Sequence, residues 1–488
     1  MATAMGDGDV IVVGSGPCGA AAASRLVERG VSVTMLDAGL GAPAGLVVKA
    51  AGNTLYRRMG WKYYCADRLD PVKSPGVDWV SSLSLGGLSN YWTAAVPRFA
   101  PDDFTDGGRL DDRYVWPITY DELVPFYELA EGMLRVTAGD AIPGVPSNRR
   151  TYPRRLPADW RDLLARAASA GHAAGALPMA KGSPWMVARR GTEFSSYHCV
   201  VRPLLSSPLF RLVSGAQVTR VRHSTATGRA DGVDYFDRRS GTTESVRGRA
   251  VVIAAGAIDS TTIVLRSTSH DFPQGIGNTA GLVGRYLHDH PREWWQVRSE
   301  RPLRVLTHPV YVARSPYDTS DPLFATSLTI GLSARSERLR MLYGGRTSTF
   351  GVQVFGTMVP TPDLGVTLDQ SANGDPLISL RYDQRAFDNL RASRDRIRDM
   401  FAAAGLDAEV PGPFHEPTPG SSIHFGGTLR MHADPVFGVV DAWNRMYEVP
   451  NVVVCDSSCF TTGPEKNPTL TAMAIALRAA DRLATDLG

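Results

Sequence analysis

Two polar side chains near the end of the chain could together take a proton from an alcohol. His424 stands in the sequence Ile-His-Phe-Gly-Gly-Thr, and Asn467 stands in Lys-Asn-Pro-Thr. An imidazole can accept a hydroxyl proton near neutral pH, and an amide beside it can hold the oxygen without competing for that proton. Taken together with the glycine-rich start of the chain, the pair indicates alcohol oxidation. A satisfied buried histidine and an ordinary helix N-cap are the structural alternatives.

A glycine-rich turn near the start of the chain indicates nucleotide binding. The apolar segment 10–13 runs into Gly-Ser-Gly-Pro-Cys-Gly over 14–19, then an alanine-rich segment over 20–29 and a second apolar segment over 31–36. This order predicts a strand, a helix and a strand, with the helix N-terminus facing a pyrophosphate. The residues expected at the nucleotide are Gly14, Ser15, Gly16, Pro17, Gly19, Asp37 and Ala38.

The glycines of this turn have separate tasks. Gly14 permits the tight turn, Gly16 lets the pyrophosphate approach the backbone, and Gly19 lets helix and strand pack closely. Asp37 ends the second strand, where a carboxylate can accept hydrogen bonds from a ribose diol. An acid at this position favours FAD or NAD over NADP.

Two further glycine-containing segments favour FAD over NAD. The Ala-Ala-Gly segment 254–256 follows an apolar run and resembles the second glycine turn of flavoproteins with two dinucleotide domains, which places Ala255 at the cofactor. The segment 85–92 can bring backbone amides against a planar ring, although a packed Ω-loop has the same composition. The residues expected there are Gly87, Ser89 and Asn90.

Composition excludes several classes of function. The 488 residues are 43% hydrophobic, and 52 basic against 49 acidic side chains give a net charge of +3, so neither nucleic acid nor a membrane surface is an expected partner. Five dispersed cysteines do not form a disulfide framework. Neither a signal peptide nor an apolar run long enough to span a membrane is evident. We expect a cytoplasmic protein that binds a small molecule.

The order of elements predicts an α/β fold, α+β overall, with two discontinuous domains. A Rossmann-type FAD-binding domain is assigned to 1–100, 200–290 and 420–488. A substrate domain built on an antiparallel sheet is assigned, with connecting elements, to 101–199 and 291–419. Further helices are expected over 120–136, 160–174, 258–266 and 467–483. Further strands are expected over 210–213, 217–222, 232–235, 245–247, 250–256, 326–330, 376–381 and 451–456.

Two other histidine-containing segments are not predicted to take part in catalysis. One is expected to be structural and the other to be exposed to solvent. His288-Asp289-His290 resembles a pair of metal ligands, but alternate residues of an extended segment face opposite ways, so we predict no metal site. His415 lies in a proline-rich segment and could meet substrate, although exposure to solvent is the default. A serine hydrolase is excluded because no Gly-x-Ser-x-Gly elbow lies between a strand and a helix.

Several motifs together resemble the glucose-methanol-choline (GMC) oxidoreductase family, and the C-terminal third resembles its pyranose oxidase branch. The matching segments follow the family's order along nearly the whole chain. They are 14–19, Gly-Gly-Leu-Ser-Asn-Tyr-Trp-Thr over 86–93, Trp-Pro-Ile-Thr-Tyr-Asp-Glu-Leu over 116–123, His-Phe-Gly-Gly-Thr-Leu-Arg-Met over 424–431 and Asn-Pro-Thr-Leu-Thr-Ala-Met over 467–473.

The resemblance implies FAD as cofactor and alcohol oxidation by hydride transfer to flavin N5, with His424 as base and Asn467 as its partner. Pyranose oxidases attach FAD to a histidine whose position here is Tyr91, so the resemblance implies a non-covalent flavin. It also implies that Val218 meets the adenine and that Thr93 lies near the reactive edge of the flavin. Asp456, Asn467, Pro468 and Thr469 are expected at the flavin end.

The resulting functional hypothesis is oxidation of a secondary alcohol to a ketone, on a sugar or aminosugar glycoside. The specific hypothesis, from resemblance alone, is the 3″-hydroxyl of an aminoglycoside during antibiotic biosynthesis. A sterol or aliphatic alcohol oxidase of the same family is one alternative. A flavin-binding redox sensor without turnover is an alternative of another class.

Overall fold

The computed structural model describes residues 8–41, 76–90, 92–142, 145–148, 152–153, 155–180, 194–306, 309–312, 326–330, 345–370, 374–409 and 412–488. Tyr91, on which the expectation of a non-covalent flavin depends, lies outside the described residues. So does much of the segment over 40–101.

The described strands form five sheets and are numbered in chain order. They are β1 (Val10–Val13), β2 (Val33–Asp37), β3 (Val136–Ala138), β4 (Tyr152–Pro153), β5 (Ala174–Ala176), β6 (Met179–Ala180), β7 (Phe210–Ser214), β8 (Ala216–Ser224), β9 (Arg229–Asp237), β10 (Thr242–Arg247), β11 (Ala250–Ile253), β12 (Arg292–Arg304), β13 (Val310–Val312), β14 (Thr326–Ile330), β15 (Arg346–Gly356), β16 (Gly365–Leu368), β17 (Pro376–Ser379), β18 (Ala408–Glu409) and β19 (Val452–Val454).

Five of the described α-helices overlap predicted segments, whereas α4 and the 20-residue α6 were not predicted. They are α1 (Pro17–Glu28), α2 (Tyr120–Leu134), α3 (Ala158–Ser169), α4 (Arg202–Leu204), α5 (Ala257–Arg266), α6 (Gln384–Ala403) and α7 (Thr469–Leu487). A π-helix covers Tyr197–Val201, and short 3-10 helices cover Gly87–Asn90, Pro101–Phe104, Asp106–Arg109, Asp112–Tyr114 and Ser457–Cys459. In the described part of the chain, no helix is long and apolar enough to cross a bilayer.

A parallel sheet in the order β19-β11-β1-β2-β7 forms the Rossmann-type core. Its central strands are short apolar runs that are buried throughout, as expected for a parallel sheet with both faces covered. Buried alanines at 20–23 let α1 pack closely on the sheet. The predicted strand–helix–strand unit is therefore confirmed.

β7 belongs to the parallel sheet, where it pairs with β2. The sequence predicted a strand over 210–213 but not its partner. The three-stranded antiparallel sheet contains only β10, β9 and β8 among the described strands. A five-residue strand carries no local signal for its partner, because pairing is decided by the long-range packing of the chain.

A six-stranded sheet in the order β18-β12-β15-β14-β13-β5 forms the second large layer, and its described pairings are antiparallel. α3 and α6 cover one face, where Trp160, Phe350 and Leu390 belong to one buried cluster. The opposite face carries Arg292 across from Phe355. The predicted antiparallel layer is confirmed.

The predicted segment 376–381 gives a shorter strand outside this layer. β17 pairs with β16 in a separate two-stranded sheet. The residue bounds proposed for the two domains remain a prediction.

Candidate active site

One cavity joins the glycine turn after β1 to the His424–Asn467 pair. Its walls include the carboxyl ends of β1, β2 and β11 and the segment after β19. This edge of a parallel sheet is where nucleotides bind in doubly wound folds. The predicted residues that line it are Gly14, Ser15, Gly16, Pro17, Asp37, Ala38, Gly87, Ser89, Thr93, Val218, Ala255, His424, Asp456, Asn467, Pro468 and Thr469.

The glycine turn is built as its spacing predicted. Gly14 has φ +98°, and a Cβ there would meet the carbonyl of Ala254 at 2.6 Å. Gly16 faces open space, with nothing within 4 Å of a Cβ built on it. Gly19 does not line the cavity. A Cβ there would collide with the Gly14 carbonyl, so only glycine fits this close contact. The turn is thus fixed by close packing at two glycines and opened toward the cavity by one.

Asp37 ties this turn to β2. Its carboxylate accepts hydrogen bonds from the Ser15 amide at 2.8 Å, the Ser15 hydroxyl at 2.6 Å and the Gly39 amide at 2.8 Å. Burial raises the pKa of Asp37, and these donors oppose that shift. Ser15 Oγ in turn accepts from the Gly86 amide at 2.8 Å, so the two glycine loops are joined.

Asn90 has a different position from the one its motif predicted. It does not line the cavity; it is buried, and its amide donates to the Leu85 carbonyl at 2.8 Å. Its Oδ1 accepts from Ser195 Oγ at 2.7 Å. Asn90 therefore holds the loop that presents Gly87 and Ser89 to the cavity.

Asp456 joins the end of β19 to the turn after β11. Its side chain accepts from the Gly256 amide at 3.0 Å, from Ser260 Oγ at 2.6 Å and from the Ser458 amide at 2.9 Å. Burial raises the pKa of this carboxyl group. The two strand ends consequently form one wall of the cavity.

The proposed proton-accepting pair is assembled from residues 43 positions apart. Asn467 Nδ2 lies 3.2 Å from His424 Nε2, and it donates there when the imidazole carries its proton on Nδ1. The N-cap position of α7 is Pro468, and no side chain caps this helix. Asn467 therefore contacts the histidine rather than serving as the N-cap.

His424 is held through its backbone and its ring faces. Its amide donates to Asp289 Oδ1 at 2.7 Å, and its ring packs against His290 and Phe355 with centroids 5.0 Å away in each case. Desolvation, followed by the nearby His290 and Arg292, lowers the pKa of His424 well below its usual 6.5. The imidazole is neutral at physiological pH, which is the form that accepts a proton.

Asp289 is a positioning residue that the sequence reasoning missed. Besides the His424 amide, it accepts from the hydroxyls of Ser422 and Tyr382, the latter at 3.2 Å. The only sequence signal was an acid between two histidines on an extended segment. Its role depends on a contact across 135 residues, which no local pattern predicts.

Backbone strain flanks the site on two sides. Ile423, directly before His424, has φ +62°, and Ala94, directly after Thr93, has φ +65°. A left-handed backbone conformation is unfavourable for residues other than glycine, above all for β-branched residues. It is retained where surrounding contacts hold the backbone in place. The bonds from Asp289 to Ser422 and His424 provide such contacts around Ile423.

His288 is a packing residue in this structure. A Cβ at Gly426, Gly427 or Gly463 would approach its ring to 2.5–2.7 Å, so three glycines make room for it. Burial lowers the pKa of His288 to about 3. Across the described ranges, no group of three or more His, Cys, Asp and Glu side chains is arranged to hold a metal.

The residues present fit FAD. Gly16, Gly87 and Gly256 line the cavity, and a Cβ on any of them would meet little or nothing, so backbone there is open to a ligand. The same cavity ends at a neutral histidine and an amide. When bound, FAD supplies the hydride acceptor. Fold and site together define a flavin-dependent oxidoreductase of alcohols.

Comparisons with known proteins give the family. Models described as GMC oxidoreductase match residues 118–292 and 360–476, and one described as FAD binding domain matches 7–44. The chain belongs to the GMC oxidoreductase family. Its FAD dependence and its action on alcohols follow.

The relatives include enzymes named for sugar substrates. A 6'''-hydroxyparomomycin C oxidase of Streptomyces lividus is 30% identical over 98% of this chain and 92% of its own. A paromamine 6'-oxidase of Streptomyces fradiae is 28% identical with the same coverage, and a C-glycoside 3-oxidase of Arthrobacter globiformis is 28% identical over 98% and 95%. Among solved structures, pyridoxine 4-oxidase from Mesorbium loti shares the fold, with a TM-score of 0.68, 20% identity and coverage of 98% and 99%.

Proposed function

We propose that this enzyme oxidises a secondary hydroxyl of a sugar glycoside to a ketone, with an aminoglycoside as preferred substrate and its 3″-hydroxyl as the reacting group. The neutral His424 imidazole beside Asn467, at the end of the cofactor cavity, carries the proposal. The relatives named for aminoglycosides and C-glycosides support the substrate class.

The chain's own residues have three tasks in this reaction. Asn467 Nδ2 donates to His424 Nε2 in this structure, and on substrate binding it turns to hold the carbinol oxygen, which frees Nε2 to accept the hydroxyl proton. The N-terminus of α7, which begins at Thr469 beside the cavity, directs its free amides toward negative charge that develops there. The carbon–oxygen bond becomes a double bond as the proton reaches His424 and the carbon-bound hydrogen leaves with its electron pair.

A sterol or aliphatic alcohol is less suited to this cavity. Arg292 and Gln353 line it together with His424. Both can bond to substrate hydroxyls, whereas an apolar ligand would bury them without partners. These two polar side chains beside His424 therefore favour a sugar.

The substrate is tested by mass and by product structure. FAD-loaded enzyme incubated with an aminoglycoside pseudotrisaccharide should remove two mass units and create a ketone carbon visible by NMR. Formation of an aldehyde would move the reaction to a primary hydroxyl and contradict the 3″ assignment. Consumption of a steroid alcohol with no change in the aminoglycoside would refute the proposed substrate class.

Anaerobic mixing with the sugar distinguishes an enzyme from a redox sensor without turnover. The flavin absorbance should bleach in the unsubstituted enzyme and bleach at least about a hundredfold more slowly in His424→Ala, since general-base catalysis contributes roughly 10²–10⁴. Equal bleaching in that variant would remove His424 from its role.

The proposal includes a cytoplasmic location and a dissociable flavin. The absence of a histidine at position 91 supports non-covalent binding. Denaturation in acid should release all of the flavin into the supernatant. Flavin that stays with the precipitated chain would contradict this part of the proposal.

A further inference from the structure

A second cavity of about 420 Å³ adjoins the catalytic one along β12. Arg292 lines both cavities. The other walls of the second cavity are the next residues of β12, Arg394 from α6 and the segment 412–417. Arg292 is thus the side chain that a molecule reaching from His424 into the second space would pass.

The sheet register places residues of the two cavities side by side on β12 and β15. On one face of β12 and β15, Arg292 lies across from Phe355 and Trp294 lies across from Gln353. Phe355 packs on the His424 ring. Residues two apart on a strand are roughly 7 Å apart, so Trp294 is displaced from Arg292 by about the step from one sugar ring to the next.

Trp294 is the distinctive side chain of this cavity. The residue is 50% exposed, although large aromatic residues are usually more buried than this. An exposed indole face gives the C–H groups of a sugar-like ring a flat apolar surface to pack on. The side chains of Gln296 and Glu416 are exposed in the same cavity and can bond to hydroxyl or ammonium groups.

The cavity is anchored beneath these side chains. Glu293 is buried and accepts from the Arg394 guanidinium. The same guanidinium donates to the carbonyls of Gly412 and Pro413, each at 3.0 Å. These bonds hold the segment 412–417 beside β12. Over residues 292–296, no described strand pairs with β12 on the side away from β15. The free edge of β12 thus forms the floor of a preformed space.

We propose that this second cavity is a subsite for the next ring of a glycoside substrate, a ring bearing hydroxyl or amino groups that stacks on Trp294 and bonds to Gln296 and Glu416. The inference rests on the proposed function, because it places the oxidised ring at His424. It also gives a place to His415, which lines this second cavity and not the cavity that contains His424. It also makes recognition depend on two rings rather than one.

The test compares an aminoglycoside pseudotrisaccharide that carries a 3″-hydroxyl with the methyl glycoside of its double-primed sugar alone. In Trp294→Ala holoenzyme, kcat/KM for the pseudotrisaccharide should fall at least about tenfold more than kcat/KM for the methyl glycoside, mainly through KM. Trp294→Phe should restore most of the difference, because it keeps an aromatic face. Leu129→Ala removes an exposed side chain of α2, outside both cavities, and should affect the two substrates alike.

Binding without turnover provides the second measurement. Calorimetry on FAD-loaded His424→Ala should show the affinity for the pseudotrisaccharide falling at least about tenfold when Trp294→Ala is added. Equal losses for the two substrates, or no loss of pseudotrisaccharide binding, would overturn the subsite while leaving sugar oxidation intact. If the unsubstituted holoenzyme oxidises neither substrate but Trp294→Ala still weakens pseudotrisaccharide binding, the proposed function fails and the subsite stands. Absence of pseudotrisaccharide binding overturns both.

Discussion

At the scale of single residues, the site depends on keeping one imidazole neutral. His424 is buried against His290 and lies near Arg292, and all three influences lower its pKa. A base of this kind is active when deprotonated, so activity is present above its pKa and is lost as pH falls through it. Neutrality here is a property of the surroundings, not of the histidine alone.

The first prediction concerns the pH profile of the unsubstituted enzyme. Because the pKa of His424 lies well below 6.5, kcat/KM should be level from about pH 6.5 upward until another group titrates. Asn467→Asp should raise the pKa of His424, since a carboxylate at 3.2 Å favours the imidazolium. The acid limb should then move to higher pH.

Steady-state rates between pH 5 and 9 test this prediction. Asn467→Ala is the control, because it removes the amide without adding charge and should lower kcat with little movement of the acid limb. An acid limb near pH 6.5 in the unsubstituted enzyme would contradict a depressed pKa at His424.

At the scale of elements, the site is held by segments far apart in the chain. The extended segment before β12 supplies Asp289, which fixes the strained backbone at Ile423. The segment before α7 supplies Asn467, and the turn between β1 and α1 opens toward the cofactor at Gly16. The elements therefore build the site from backbone groups as well as from side chains.

The second prediction is that Asp289→Asn lowers kcat more than stability alone explains. The variant keeps the size of the side chain but cannot accept from both Ser422 and the His424 amide with a full charge. We expect kcat to fall roughly 10- to 100-fold and the free energy of unfolding to fall by about 1–3 kcal/mol. Asp234→Asn removes a similar charged acceptor of Ser245 and Arg220 outside the cavity. It should lose stability without loss of kcat, and equal loss of kcat in both would contradict a positioning role.

The third prediction concerns the open space at Gly16. Gly16→Ala should fold normally, because nothing lies within 4 Å of the new methyl group, but that methyl projects where the pyrophosphate is expected. FAD affinity should weaken at least about tenfold, or by roughly 1.4 kcal/mol. Gly132→Ala in α2 is the matched control, since it also meets no neighbour. Flavin content after dialysis distinguishes them, and full retention in Gly16→Ala would contradict the assigned role.

At the scale of the whole molecule, a buried charge cluster joins distant parts of the chain beside Asn467. Lys466 Nζ lies 2.8 Å from a carboxylate oxygen of Asp103 and 2.8 Å from one of Glu465. Burial and the neighbouring Glu465 raise the pKa of Asp103 to about 6, although Lys466 opposes this. The cluster fixes the residue before Asn467 to the 3-10 helix Pro101–Phe104.

The fourth prediction is that Lys466→Met destabilises the protein and also impairs catalysis. Removing the shared cation leaves two carboxylates in a buried site, which costs about 3–5 kcal/mol of unfolding free energy. Arg98→Met breaks the buried pair of Arg98 with Glu131, which is outside the cavity. Both variants should lower stability in denaturant titrations, and only Lys466→Met should lower kcat. An unchanged kcat in folded Lys466→Met would show that the cluster does not position Asn467.

The local features of this protein could be predicted from its sequence. The strand–helix–strand unit, its glycine turn and Asp37 follow from periodicity and from the conformations that only glycine adopts. The motif order gave the family, and with it the cofactor and the proposed pair. These features were predictable because each is specified within a few tens of neighbouring residues.

The groups that meet from distant parts of the chain are set by the fold. The fold pairs β7 with β2, places Asn90 behind the cavity wall where it supports its loop, and brings the Asp289 side chain to the backbone of His424. It also brings Trp294 and His415 to one cavity beside Arg292. None of these contacts has a local signature, because strand register and side-chain burial are set by packing between segments that the sequence separates by tens to hundreds of residues.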